Sequence, residues 1–480
     1  MSIVSIYNNN KQISIVMMFT VILNILISWN IYNISPEYGV GPNKEIQSVL
    51  IGENLSKYGV YSSGELDRDG NLIPNNFKVP VFPLLYALGF SMFDNVGSIY
   101  EMLRFINIIS NILIIYLVFL IGKIYSKEVG ILSAILASVN ISWIHVANNY
   151  LYPDIFFPLL VLSATYFIFK YIKIETKLSY LAIGSLFLGI ASLTKPVSYM
   201  LWLPLIIFLS IFLVFYKKIG LIQTIKHLII FFLIHSFLIG GWMYRNYTIW
   251  GVADLTNQVG TVLDFNIGYM YANRMGVRYD TPEGHKIAME MLQPHFDKCT
   301  NENIMVQARC WKKEAIEIIK DNPIEYLQTV VKHMVHLLFF ATKPYYLFDA
   351  DTIKSLESSQ ALAKFDSASK SLDIKNSIKY YIELLGEEPI FAIVMALLYA
   401  FLIILPFISL VGVLILLLRK DIWSTLFLAM VVSYFLFLLS PSSHYRYSLT
   451  VHPIMYIFTS IAIIFIINFF KREKEKCPTT

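Results

Sequence analysis

Long apolar runs follow one another along this chain of 480 residues, separated by short polar segments. A helix needs about 20 apolar residues to cross the hydrocarbon core of a bilayer, and most of the runs reach that length. The pattern predicts an all-α polytopic membrane protein with about ten spans. The predicted spans cover residues 12–32, 103–122, 129–148, 153–170, 178–194, 197–216, 226–246, 390–418, 422–440 and 451–470.

The charges between these runs predict the orientation of the chain in the membrane. Every second loop is short and basic, such as the loops that carry Lys123 and the Arg419–Lys420 pair. The positive-inside rule places these loops, and with them both termini, in the cytoplasm. Two longer segments, 33–100 and 250–388, then lie on the non-cytoplasmic side.

This orientation divides the chain into three parts. Residues 1–249 form an N-terminal transmembrane module whose first outer loop, 33–100, is the expected catalytic loop. Residues 250–388 form a non-cytoplasmic insert, and residues 389–480 form a C-terminal transmembrane module with a basic cytoplasmic tail. We expect an integral protein of a bacterial inner (plasma) membrane.

The insert shows apolar residues at three- and four-residue spacing, which predicts a partly helical domain. Residues 326–340 are amphipathic and are expected to lie in the membrane interface, whereas the polar, Ser-rich stretch 351–375 is expected to be a flexible loop. Cys299 and Cys310 lie close together in the same insert. An oxidising compartment would favour a disulfide between them, and two unrelated thiols are the alternative.

Composition and charge narrow the function classes. Charged residues make up 15% of the chain and hydrophobic residues 56%, whereas about a quarter of a soluble protein is charged. The net charge of +5 is small for this length and indicates no nucleic-acid partner. The sequence shows no internal repeat, which weakens the interpretation as a secondary transporter, because many transporter folds carry two related halves.

Ionisable residues collect at the outer ends of the predicted spans. Such residues are functional candidates because their desolvation near membrane depth is costly without a partner. Acids and bases gathered at one boundary suit a negatively charged, membrane-anchored substrate, since cations would hold a phosphate and a carboxylate would act as general base. The residues are Glu37, Glu45, Lys78, Arg104, Asp154, Lys195, Arg245, His444 and Arg446.

Taken singly, these residues also have simpler interpretations. Lys and Arg near helix ends usually extend toward the aqueous interface, and this interpretation is favoured for Lys195 alone. Asp154 stands between Pro153 and a wholly apolar run, so a helix N-cap and a functional residue are equally good interpretations.

The order of several short sequences resembles a known family. The first outer loop contains KEIQSVLIGENLSKYGVYS and FKVPVFPLLYALGF, and LRFINIISNIL, YLYPD, LFLGIASLTKP, GWMYRNYTIWG and HYRYSLTVHPIMY follow in that order. In order and spacing they resemble the GT-C membrane glycosyltransferases, in the branch related to protein O-mannosyltransferases and to the lipid A aminoarabinose transferase. The resemblance covers nearly the whole chain. It implies a GT-C-like helical body with interfacial helices in the first outer loop, and a polyprenyl-phosphate sugar donor.

The resemblance also implies roles for individual residues. The family acid of the first outer loop matches Glu45, with Glu37 as the second choice. Lys78 resembles the basic residue that precedes a P-x-x-P turn in relatives and contacts the donor phosphate. Asp154 resembles a second acid, which in some relatives joins the first in metal binding.

Further residues complete the implied site. Arg245 and Arg446 resemble basic residues that relatives place near the lipid phosphate, and Arg104, at the start of the second span, is a further candidate for phosphate binding. The sequence requires no cofactor. If a divalent cation is used, its candidate ligands are Glu45, Asp154 and His444.

We therefore expect an inverting glycosyltransferase that uses Glu45 as its base. It would move a sugar from a polyprenyl-phosphate donor to a lipid, glycan or protein acceptor on the non-cytoplasmic face. Two other classes stay open: an envelope glycan polymerase or ligase, and a lipid-linked sugar transporter or flippase. The first would differ in product length, and the second would form no covalent product.

Overall fold

The fold is given by a computed structural model, which describes residues 11–34, 45–149, 151–260, 262–301, 303–339, 348, 352, 355–356, 358–370, 373–439 and 445–476. These residues form helices joined by loops, with an isolated antiparallel bridge between Leu66 and Leu72 in the first outer loop. The predicted all-α membrane class is confirmed.

The N-terminal half contains ten α-helices among its described residues. A 3-10 helix, Pro196–Leu201, precedes the ninth of them, and a π-helical turn, Phe212–Tyr216, extends it. Numbered in chain order, the α-helices are α1 (Lys11–Ile34), α2 (Ile46–Tyr58), α3 (Val81–Met92), α4 (Val96–Tyr125), α5 (Lys127–Ser138), α6 (Ile141–Asn149), α7 (Phe156–Lys173), α8 (Leu178–Ser192), α9 (Trp202–Ile211) and α10 (Leu221–Trp250).

The C-terminal half contains the insert and the last three long apolar helices. A 3-10 helix, Tyr445–Thr450, precedes the last of them. The α-helices are α11 (Gly268–Arg274), α12 (Pro282–Asp297), α13 (Ile304–Asp321), α14 (Pro323–Phe339), α15 (Gln360–Lys370), α16 (Ile374–Glu387), α17 (Pro389–Leu418), α18 (Ile422–Leu439) and α19 (His452–Lys476).

Eight helical segments in the described ranges are long and apolar enough to cross a membrane. The chain is therefore an integral membrane protein, whereas the number of crossings stays a prediction. The segments are Lys11–Trp29, Val96–Tyr125, Phe156–Lys173, Pro196–Tyr216, Leu221–Trp250, Pro389–Leu418, Ile422–Leu439 and His452–Lys471.

Two of the ten predicted spans differ from the structure. The predicted span 178–194 is the shorter helix α8, and the predicted span 129–148 is divided into α5 and α6. Asn140 lies at the division: its Oδ1 accepts from the Trp143 N–H at 3.3 Å, and its Nδ2 donates to the Tyr456 hydroxyl at 2.5 Å. A side chain that caps the next helix competes with continuation of the previous one, so the apolar run alone does not specify one helix.

The main core lies between the apolar helices, and one close helix contact depends on a glycine. At Gly412 in α17, an added Cβ would overlap the backbone carbonyl group of Phe458 in α19. Absence of a side chain at this position lets the two helices approach to backbone contact, as small residues do in membrane helix pairs.

The described residues of the insert form helices joined by loops, with a disulfide between Cys299 and Cys310. The prediction of a flexible loop over 351–375 is wrong where α15 forms. Ala361, Leu362, Phe365 and Ala368 are buried on one face of that helix, and this apolar spacing lies within a stretch that is otherwise polar and Ser-rich.

Substitution of Gly412 tests the α17–α19 contact. Gly412→Ala should destabilise the fold by about 1–3 kcal/mol, because an added methyl group at a backbone contact forces the helices apart. The measurement is the thermal unfolding midpoint of the purified protein. Gly240→Ala in α10 is the matched control, since a Cβ at that position would meet no heavy atom within 4 Å. Equal midpoints for both variants would contradict the contact.

Candidate active site

Glu45 and Lys78 form an ion pair that joins the residue before α2 to the loop before α3. Lys78 Nζ lies 2.6 Å from Glu45 Oε1, and the two side chains are 16% and 14% exposed. Ser48 in the first turn of α2 donates to the other carboxylate oxygen of Glu45 at 2.5 Å. Both oxygens of the carboxylate are therefore held, and a general base in this position would be fixed in orientation.

The backbone that carries Lys78 is fixed by its neighbours. Asn75 Oδ1 accepts from the N–H groups of Phe77 and Lys78 at 2.9 and 3.2 Å, which is an Asx-type turn. The Tyr61 hydroxyl donates to the Lys78 carbonyl oxygen at 3.1 Å. The loop thus presents Lys78 at a defined position although it lies outside any helix.

Arg245 near the end of α10 joins this loop. Its guanidinium carbon lies 4.8 Å from the ring centroid of Trp242 and 5.3 Å from that of Tyr61. Its Nη1 donates at 2.8 Å to the carbonyl oxygen of Asn75 and to Oδ1 of Asn246. Nη2 and Nε have no hydrogen-bond acceptor among the residues that the structure describes, so this side of the guanidinium is available for an anion.

Asp154 is the centre of a second ion cluster. Its side chain is 2% exposed, and it pairs with Lys195 Nζ through Oδ1 and with Arg446 Nη1 through Oδ2, the latter at 3.1 Å. Lys195 also lies 4.7 Å from the ring centroid of Tyr447. The favoured interpretation of Lys195 as an interface lysine is wrong, because a buried carboxylate holds its ammonium group.

Asp154 is not the N-cap residue of α7. The N-cap residue of α7 is Ile155, and no side-chain cap bond is formed there. The carboxylate of Asp154 joins the loop before α7 to the segment after α8 and to the 3-10 helix before α19. The structure therefore brings together three parts of the chain at this residue.

Two hydrogen bonds connect the parts of the chain that carry the two ion clusters. The Val81 N–H, next to the Lys78 loop, donates at 3.0 Å to the carbonyl oxygen of Leu193, two residues before Lys195. Tyr86 in α3 donates at 3.0 Å to the carbonyl oxygen of Leu151, three residues before Asp154.

The negative charges of both carboxylates act on the hydroxyl group of Tyr152. Burial, followed by the negative charges of Glu45 and Asp154, raises the pKa of the Tyr152 hydroxyl, against the lowering effect of the Arg446 guanidinium. The guanidinium carbon of Arg446 lies 4.6 Å from the Tyr152 ring centroid. Tyr152 therefore contacts the second cluster through Arg446 and lies near the charge of the first.

Arg104 lies outside these contacts. Its Nη1 pairs with Glu101 at 2.6 Å, and its Nε donates to the carbonyl oxygen of Asn148 at 2.9 Å, joining α4 to α6. Glu37 and His444 fall outside the described residues.

Sequence reasoning missed the aromatic and amide residues that support the charged ones. Tyr61, Asn75, Tyr152 and Trp242 carry no charge, and their types are common in loops and at membrane interfaces. One signal was available, since Tyr152 and Trp242 lie within the quoted motifs YLYPD and GWMYRNYTIWG.

Among the described residues, the carboxylates of Glu45 and Asp154 are not arranged as a metal site, and the third candidate ligand, His444, lies outside those residues. Each of the two carboxylates faces cationic side chains, and a divalent cation at either position would meet their positive charges. Within the described ranges, no group of three His, Cys, Asp or Glu side chains could hold a metal ion.

Residues 77–242 match the family described as dolichyl-phosphate-mannose-protein mannosyltransferase. This match confirms the predicted resemblance to the GT-C membrane glycosyltransferases. The matched segment contains Lys78, Asp154 and Lys195 and ends three residues before Arg245. A membrane glycosyltransferase is the class of activity that the match supports. No curated protein matches the chain.

The chain is also similar to solved archaeal oligosaccharyltransferases. One is the Archaeoglobus fulgidus enzyme in complex with Zn and sulfate, at 12% identity and a TM-score of 0.49, covering 96% of this chain and 49% of that one. Another is AglB from the same organism with an inhibitory peptide and a dolichol-phosphate, at 12% identity and a TM-score of 0.48, covering 99% and 53%. The chain thus spans about half the length of these structures.

Substitution of Asp154 tests the second ion cluster. Asp154→Asn should lower the free energy of unfolding by about 3–5 kcal/mol, because it leaves Lys195 and Arg446 without their buried counter-charge. Thermal unfolding of the purified variant and its abundance in the membrane provide the measurement.

The control is Glu317→Gln in α13. Glu317 pairs with Lys320, and the side chains of that pair are 54% and 64% exposed, so its loss should cost no more than about 1 kcal/mol. Equal losses of stability in the two variants would show that the Asp154 cluster does not stabilise the fold more than an ordinary ion pair.

Proposed function

We propose that the chain is a membrane glycosyltransferase that transfers a sugar from a polyprenyl-phosphate donor to an acceptor hydroxyl or amine. The observation that carries this proposal is the position of an ion-paired carboxylate, Glu45, beside the cationic Lys78 and Arg245. The family match over 77–242 supports it, since the name of that family specifies a dolichyl-phosphate sugar donor and a protein acceptor. A protein acceptor is accordingly the first one to test.

The proposed reaction is a single displacement at the anomeric carbon. The acceptor oxygen or nitrogen forms a bond to that carbon, and the bond from the carbon to the phosphate oxygen breaks. The electron pair leaves with the polyprenyl phosphate, and the acceptor proton moves to a carboxylate oxygen of Glu45. Attack opposite to the leaving group inverts the configuration at the sugar carbon.

The cations contribute by stabilising the leaving group. Negative charge grows on the phosphate as its bond to the sugar breaks, and fixed cations that already point at this position stabilise the transition state most. Lys78 and the open side of Arg245 are the proposed phosphate ligands, and Arg446 is a third. Asp154 would position the acceptor, while Lys195 and Arg446 keep its carboxylate charged and oriented.

We further propose that the site faces the non-cytoplasmic side and that both termini are cytoplasmic. The basic loops between the apolar helices support this orientation. The proposed three-part organisation at residues 249 and 388 agrees with the end of α10 at Trp250 and the start of α17 at Pro389.

Substitution of Glu45 tests the proposed base. Glu45→Gln should reduce sugar transfer by about 10²–10⁴-fold, because the amide keeps the shape of the side chain and cannot take the acceptor proton. The assay uses the purified full chain in lipid vesicles with a lipid-linked sugar donor, and measures the glycosylated acceptor and donor binding separately. Donor binding should be nearly unchanged.

Glu53→Gln is the matched control, because Glu53 pairs with Lys57 on the exposed side of the same helix. It should transfer at the unmodified rate. Normal turnover by Glu45→Gln would remove Glu45 from the role of base. Accumulation of donor across the vesicle membrane, with no covalent product, would instead favour a transporter, and a polymeric product would favour a polymerase or ligase.

Substitution of Arg245 separates phosphate binding from support of the loop. Arg245→Met should raise the KM for the donor by about tenfold or more, because charge-assisted hydrogen bonds to a phosphate contribute roughly 1.5–3 kcal/mol. The donor dependence of the transfer rate gives this KM.

Arg309→Met, which removes an arginine paired with Asp254 on the exposed surface, should leave the KM unchanged. A lower unfolding midpoint of Arg245→Met with an unchanged donor KM would mean that Arg245 only holds the Asn75 carbonyl group.

A further inference from the structure

Helix α16 of the insert carries an exposed stripe of isoleucines. Ile374, Ile378 and Ile382 are 74%, 57% and 62% exposed, and Leu385 continues the stripe. Residues spaced by three and four positions lie on one face of a helix, so these side chains form a continuous apolar surface. An exposed apolar stripe of this kind marks an interaction surface.

The stripe is separate from the face that packs against the protein. Leu384 is fully buried in a cluster with residues of α15 and α17, and Tyr381 donates to the carbonyl oxygen of Ala392 at 3.0 Å. Lys375 and Lys379 lie along one edge of the stripe, and Glu383 lies on the polar face beyond them. The helix therefore has the apolar, basic and polar sectors that are typical of a helix lying in a membrane interface.

The position of α16 in the chain places it at the membrane boundary. Only Glu388 separates it from α17, a helix long and apolar enough to cross the bilayer. Exposed apolar side chains, as expected of a helix that faces lipid, begin in the first turns of α17. Ile390, Ile393 and Leu397 are 70%, 52% and 67% exposed there. A helix that ends directly before the first lipid-facing turn of a span cannot lie far from the headgroups.

This boundary is on the same side as the candidate active site. At the opposite end of α17, the guanidinium of Arg419 lies 5.0 Å from the ring centroid of Phe465 in the second half of α19. The two helices thus run in the same direction, and the start of α19 directly follows the 3-10 helix that carries Arg446. The starts of α17 and α19 therefore share one side of the bundle.

We propose that α16 lies in the membrane interface of this leaflet, with Ile374, Ile378 and Ile382 inserted into bilayer lipid. Lys375 and Lys379 extend to the lipid phosphates, and Glu383 faces water. This inference is independent of the proposed sugar transfer.

Helix α14 of the insert also carries an exposed apolar face. Ile324, Leu327 and Val331 are 72%, 53% and 52% exposed on one face, and the helix contains most of the segment 326–340, which the sequence predicts to be interfacial. The helix also packs against the 3-10 helix Tyr445–Thr450. Two lipid contacts, one through each helix, would hold the insert down beside Arg446.

Spin labels on α16 test the proposal. Ile378→Cys, Ile382→Cys and the matched control Glu383→Cys are made in the full chain with Cys477→Ser, so that the disulfide stays intact. The labelled proteins are placed in vesicles of phosphatidylcholine with a minor fraction of phosphatidylglycerol. Power saturation then compares collisions with oxygen, which enters lipid, and with a nickel chelate, which stays in water.

Labels at 378 and 382 should collide more with oxygen than with the nickel chelate, and the label at 383 should do the reverse. Equal nickel accessibility at all three positions would place the stripe in water and overturn the proposal. Protection of positions 378 and 382 from both reagents would also overturn it, since the stripe would then be covered by protein. If the unfolding midpoint of a cysteine variant falls below that of the parent protein, Ile374→Cys is used in its place.

Discussion

Burial of the Asp154 carboxylate at the edge of an apolar helix bundle has to be compensated, because an isolated charge in this environment costs several kcal/mol. Lys195 and Arg446 supply the compensation, and they come from positions 41 and 292 residues away in the sequence. This ion cluster therefore couples the packing of three helix connections to one another. The Glu45–Lys78 pair lies beside it because α3 and the Lys78 loop are hydrogen-bonded to the same connections.

The same constraint governs the irregular backbone of the site. Non-helical backbone near membrane depth is stable only where its polar groups are satisfied within the protein. The loop before α3 meets this requirement through Asn75, Tyr61 and Arg245, which bind its N–H and carbonyl groups. Arg245 thus has a structural bond on one side of its guanidinium and an open edge on the other. This division explains how one residue can support a loop and still be offered to a substrate.

The sequence was sufficient for the membrane class and for most of the long helices, because lipid exposure requires uninterrupted apolar runs. It was insufficient where a polar side chain decides the local structure, as Asn140 does between α5 and α6, or where serines conceal an apolar face, as in α15. The pairing of Glu45 with Lys78 joins two residues that the family resemblance had already selected. The pairing of Lys195 with Asp154 could not be foreseen, because nothing local in the sequence distinguishes a buried lysine from one that reaches water.

The charges of the two clusters do not balance. Among the described residues, the contacts around the two clusters involve four cationic side chains, Lys78, Lys195, Arg245 and Arg446, and the two carboxylates of Glu45 and Asp154. Under the proposed chemistry, a sugar donor is a phosphodiester with one negative charge, whereas the lipid phosphate left behind is a monoester with a charge approaching −2 at neutral pH. The site is then electrostatically matched to its product more closely than to its donor. The spent lipid would then be bound more tightly than the donor, and its release would be slowed.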